Sequence, residues 1–139
     1  MRRILLFAGL TLAITAVAAT AVWAGSPHFV SNTVTATRSD DSLTVSGKEA
    51  GLGDESQVHI EVSATALCIN PGGNHPKAVN KESVSVGDNF PVQNGKAEFS
   101  LTLTATFTPD CSPPMTVAFT DVKVTDTTNN ISKTLSGTF

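Results

Sequence analysis

The chain has no tyrosine, and its one tryptophan, Trp23, sits in an apolar N-terminal run. After that run the whole aromatic set is six phenylalanines: Phe29, Phe90, Phe99, Phe107, Phe119 and Phe139. Rings that sit at a wet surface are usually indole or phenol, because each carries a polar handle. A sugar-binding face of stacked aromatic rings is therefore poorly supported. Bases are scarce too. Beyond residue 24 there are seven, Arg38, Lys48, Lys77, Lys81, Lys96, Lys123 and Lys133, against twelve acids. An acidic domain with no basic stripe does not attract phosphate backbones, so nucleic acid is not an expected partner.

Catalytic patterns are missing as well. The sequence holds no Gly-x-Ser-x-Gly elbow, no Ser-x-x-Lys pair, no His-Glu-x-x-His and no paired cysteine or histidine spacing for zinc. The expectation is no catalytic residue, no metal site and no cofactor. His59 lies two residues from Glu61 on the polar side of a strand pattern, where a solvated face outweighs an acid–base couple. Asp40-Asp41 and Asp54-Glu55 lack the spacing of a calcium loop and read as turn and solubility residues. Asn130-Ile131-Ser132 is a formal glycosylation sequon, relevant only in a eukaryotic secretory pathway.

What is present begins with an export signal. Arg2 and Arg3 precede an uncharged apolar run over 4–20, and Val22-Trp23-Ala24 places cleavage before Gly25. Ala19-Thr20-Ala21 would cut before Val22 instead, and an uncleaved anchor helix is the other reading. The preferred division is a signal peptide over 1–24 and one secreted or envelope-associated domain over 25–139, free of the membrane after cleavage. Two cysteines in an exported chain point to one disulfide, Cys68–Cys111.

Valine and threonine dominate, and apolar residues recur with period two rather than at helical spacing. Strands are expected over 29–38 and 42–47, joined at Asp40-Asp41, then over 57–68, 79–92, 96–107, 115–125 and 131–139. The segment 48–56 reads as a loop. Asn94-Gly95 marks a hairpin, and a phase shift near Thr120-Asp121 marks a bulge. Pro91 argues for an edge position or a bulge. These elements predict an all-β fold: an antiparallel β-sandwich of about seven strands, immunoglobulin-like in general architecture, with one disulfide. The disulfide constrains the path. For Cys68 and Cys111 to meet, strands 57–68 and 96–107 must end at the same pole, so 79–92 must act as one returning run despite Gly87.

The segment after Cys68 is the candidate site. Asn70, Gly72, Gly73, Asn74, His75 and Lys77 lie in a stretch with two prolines and no regular structure. Adjacent glycines can turn successive N–H groups toward one point, as in an anion-binding nest, with the asparagines, His75 and Lys77 adding polar contacts. The alternative is that these residues only satisfy the loop's own backbone.

The run Cys68-Ile69-Asn70-Pro71-Gly72-Gly73-Asn74-His75-Pro76-Lys77, followed by Asn80-Lys81-Glu82, resembles a motif of small exported proteins, mostly bacterial. Gly51-Leu52-Gly53, Asn94-Gly95, Cys111-Ser112-Pro113 and Phe119-Thr120-Asp121-Val122 extend the likeness over roughly 43–125. The resemblance implies a secreted β-domain and transfers no activity and no catalytic residue. The functional expectation is a non-enzymatic binding or structural module whose partner is an extracellular protein or envelope component. A secreted protease inhibitor presenting the 69–80 loop is one alternative, and a hydrolase using His75 or His59 is another.

Overall fold

Alternation of apolar and polar residues makes one wet and one dry face per strand, and two such faces pack together. The computed structural model describes residues 25–70 and 80–139. The expected signal peptide and most of the candidate loop lie outside the described residues. The strands are β1 (His28–Phe29), β2 (Thr35–Ser39), β3 (Ser42–Ala50), β4 (Gln57–Ile69), β5 (Lys81–Pro91), β6 (Lys96–Thr104), β7 (Thr116–Asp126) and β8 (Ile131–Leu135). Every pairing is antiparallel. In one sheet β3 pairs with β6 on one side and with both β1 and β2 on the other. The second sheet has the order β5-β4-β7-β8. With β1 and β2 counted as one interrupted edge, this is three strands over four.

The core follows from the alternation. On β6, Ala97, Phe99, Leu101 and Leu103 are buried while Lys96, Glu98, Ser100, Thr102 and Thr104 are exposed. On β4, Val58, Ile60, Val62, Ala64 and Ala66 face inward, and Leu67 beside Cys68 is buried as well. Phe99 packs edge-on against Phe29 and Phe90. All six phenylalanines are buried or half-buried. The outer face of the first sheet is a grid of hydroxyls. Thr35, Ser46 and Ser100 share one rung, Thr37, Thr44 and Thr102 the next, and Ser39, Ser42 and Thr104 the last. The Thr44 and Thr102 hydroxyls are 2.9 Å apart. One rung further, Lys48 pairs with Glu98 at 2.8 Å.

The described residues form eight strands rather than about seven, because the expected strand over 29–38 divides. Val30 and Asn32 do not continue the inward face. A turn forms in which Val30 O accepts from Thr33 N at 2.9 Å and from Thr33 Oγ1 at 2.7 Å. The Thr33 hydroxyl also accepts from Lys48 N at 3.0 Å, so β3 keeps a partner where the edge strand bows out. Gly47 lies on the inner side of β3 opposite this turn. A Cβ there would stand 2.9 Å from both Phe99 Cζ and Val34 Cγ2.

Three other boundaries move. β3 runs on through Glu49 to Ala50, within the expected 48–56 loop. β6 stops at Thr104: Ala105 N donates to Asp41 O, and Thr106 N donates to the Glu82 carboxylate, which draws the chain toward the other sheet. β8 stops at Leu135, and Gly137 has φ 125°. Phe139 then exchanges two backbone bonds of 3.0 Å with Phe119.

β4, β5 and β7 lie close to their expected spans, with residue 79 outside the described residues. β5 is one run, paired to β4 straight through Gly87, and it is an edge. Asn94 and Gly95 both have positive φ, forming the tight turn from β5 into β6. The register of β4 against β7 shifts between Ser63 and Thr65, opposite Asp121, whose φ is 53°. Cys68 and Cys111 are bonded, with Cα atoms 5.7 Å apart.

Candidate functional site

The disulfide end is built by where the long strands stop. Leu67 pairs with Lys81 and Ile69 with Thr116, so β4 is held by β5 up to Leu67 and by β7 up to its last residue. Cys68, between them, is bonded to Cys111. The segment 70–80 therefore leaves and re-enters the sheet at a base that is hydrogen-bonded and covalently clipped. Of the expected site residues, Asn70 is described and is exposed at the end of β4. Gly72, Gly73, Asn74, His75 and Lys77 lie outside the described residues, and so does the nest expected of the two glycines.

Two depressions flank the clip. One of about 400 Å³ is lined by Arg38, Asp40, Asp41, Cys111, Pro113, Met115, Thr116 and Val117. The other, of about 170 Å³, includes Cys68, Asn80, Lys81, Glu82, Phe107, Pro109 and Met115. Met115 and the bridged sulfurs form the wall between them, with Met115 Sδ 3.7 Å from Cys68 Sγ. Arg38 spans the two sheets here: its Nη1 donates to Val117 O at 2.9 Å and to Asp40 O at 3.0 Å. Arg38, Asp40, Asp41, Lys81 and Glu82 place charges of both signs in the linings beside Met115 and the disulfide. This arrangement suits van der Waals contact with hydrogen bonding at the margin.

The histidines outside the loop are engaged elsewhere. His59 Nδ1 lies 2.9 Å from Asn89 Oδ1 on the facing strand, so its partner is Asn89 rather than Glu61. The ring lies over Gly87, where an added Cβ would come within 2.9 Å of its Nε2. His28 Nδ1 lies 2.7 Å from Ser26 O.

Two residues that strand alternation places but turn signals obscure stand out at the opposite end. Glu49 continues the inward phase Leu43, Val45, Gly47 of β3, and Asp126 continues Val122, Val124 of β7. Both side chains are fully buried. Asp126 Oδ1 accepts from Thr128 N at 2.7 Å and Asn129 N at 3.2 Å. Its Oδ2 accepts from Asn129 Nδ2 at 2.7 Å, and the same nitrogen donates to Glu55 Oε2 at 3.1 Å. Among the described residues neither carboxyl oxygen of Glu49 has a donor. Burial first, then the adjoining Asp126 carboxyl and the Glu55 charge, push the Glu49 carboxyl up to about 8. A proton on Glu49 turns Asp126 into its hydrogen-bond acceptor; with both ionised, each can only accept.

No protein-family model, curated protein or solved structure matches the chain.

Proposed function

We propose that the protein is an exported, non-enzymatic binding domain and that its contact surface is the disulfide end. The observation that carries this reading is the clipped base of the 70–80 segment, with a depression on each side. A rim fixed before contact loses less conformational freedom when it binds, which favours recognition by a small surface. The export pattern and the resemblance to small exported β-domains support an extracellular protein or an envelope component as the partner. The three polar loop residues Asn74, His75 and Lys77 are the expected specificity contacts, with Arg38 and Met115 at the rim.

The test is capture by immobilised protein from the source organism's own extracellular and envelope fractions, beside two variants. One replaces Asn74 and His75 by alanine, and the other replaces Met115 by glutamate. A partner retained by the wild type and lost from both variants supports the reading. Equal retention by all three, or no partner in either fraction, overturns it.

A further inference from the structure

The end of the sandwich away from the disulfide holds an unresolved balance of charge. Glu49 is 0% exposed, and among the described residues neither of its carboxyl oxygens has a hydrogen-bond donor. The side chain it meets across the interior, Asp126, is also a carboxyl. Asp126 is saturated on its turn side by the Thr128 and Asn129 amides. Buried polar groups are normally hydrogen-bonded or coordinated, and a buried carboxyl with two idle oxygens is an exception that needs a cause.

A proton and a cation resolve it to different extents. A proton on one Glu49 oxygen makes a single bond to Asp126 and leaves the second oxygen idle. A cation held between the two carboxylates engages both Glu49 oxygens and the remaining lone pair of Asp126 Oδ2. The donor set is oxygen only, with neither histidine nor thiolate, which suits a hard cation rather than zinc or copper. Asn129 supplies a neutral ligand. Its carboxamide nitrogen already sits between Asp126 and Glu55. A half-turn of that amide puts its oxygen in the same place.

We propose that Glu49 and Asp126, with the Asn129 carboxamide oxygen, form a calcium site between β3 and β7. Among the described residues no three His, Cys, Asp or Glu side chains converge as a metal-binding group, so the site has two charged ligands and takes the rest from neutral oxygens and water. Calcium accepts such irregular, partly hydrated coordination, whereas magnesium demands near-ideal octahedral geometry. Calcium affinity follows charged-ligand count, which places this site in the range of about 10⁻⁴–10⁻³ M typical of extracellular modules. Glu55 and Asn129 are the partly exposed members of the cluster and mark its mouth.

The test titrates calcium chloride into chelator-stripped protein by calorimetry and follows thermal unfolding, with magnesium chloride in parallel. One calcium per chain is expected, with a Tm rise of roughly 5–10 °C at about 10 mM calcium and a much smaller rise with magnesium. Glu49→Gln removes a charged ligand at constant shape and abolishes the calcium response. Asn129→Asp adds a charged ligand and tightens binding roughly tenfold or more. This second variant reads out even if Glu49→Gln does not fold, and an Asn129→Asp protein that folds only with calcium also supports the site. No calcium response in the wild type, an unchanged response in Glu49→Gln, or no tightening in Asn129→Asp overturns the proposal and leaves a proton alone between the carboxyls.

Discussion

Glu49 makes stability depend on pH in the direction opposite to most carboxylates. Its carboxyl binds a proton up to about pH 8 when folded, against 4.5 for an unperturbed glutamate. Between those values the native state holds a proton that the unfolded chain has released. The contribution is therefore full below the lower value and lost as pH rises through the upper one. Each unit of difference is worth about 1.4 kcal/mol, so the group accounts for a few kcal/mol over the window. Urea unfolding with a chelator present should show the protein less stable at about pH 9 than at about pH 5.5, by roughly 2–4 kcal/mol, and Glu49→Gln should flatten that difference. A second single-residue effect is steric. Gly47 leaves room for Phe99 and Val34, and a Cβ would meet both at 2.9 Å. Gly47→Ala should cost about 1–2 kcal/mol, because overpacking at the Phe29–Phe99–Phe90 cluster exceeds the gain from a stiffer unfolded chain. The denaturation midpoint measures it.

The broken edge of the first sheet depends on one hydroxyl. Thr33 Oγ1 donates to Val30 O and accepts from Lys48 N. Thr33→Val should keep the volume, leave the Lys48 amide without its acceptor while Val30 O keeps the Thr33 amide, and cost about 1–2 kcal/mol. Hydrogen exchange at the Lys48 amide should speed up more than at its neighbours in β3. This element also shows where the sequence is hard to read. Val30, Asn32, Val34 and Ala36 alternate like a strand, while the turn rests on a threonine side chain that imitates the ladder. Alternation is blind to that. The long strands were legible because β4 and β6 keep one phase throughout, and the bulge at Asp121 was legible because the phase of β7 breaks there. The alternating pattern overstates the length of β6 and β8. Their last residues keep the pattern but bond to Asp41, Glu82 and Phe119 instead of the expected neighbour. The carboxyl pair was missed for the converse reason. Glu49 and Asp126 obey the inward phase of β3 and β7, but each adjoins glycine, asparagine or threonine signals that favour a loop or turn. The pole of the candidate surface could be read, because two cysteines and strand lengths allow only one path.

At the scale of the whole molecule the fold is fastened at two poles by different chemistry. The Cys68–Cys111 bond closes one, and the Glu49–Asp126 pair lies at the other. Closing a loop of 43 residues stabilises the native state by about 4 kcal/mol through the unfolded chain's lost entropy. Guanidinium unfolding with and without reductant should show a difference of that order, and Cys111→Ser should match the reduced wild type. The same bond also governs how the chain bears tension. Of the described strands, β5 and β6 lie inside the covalent ring, and the others lie outside it apart from the last residue of β4. Pulled from its two ends, the oxidised chain carries force through Cys68 straight to Cys111. The bypassed stretch of 43 residues withholds roughly 150 Å of extension that only a reductant releases.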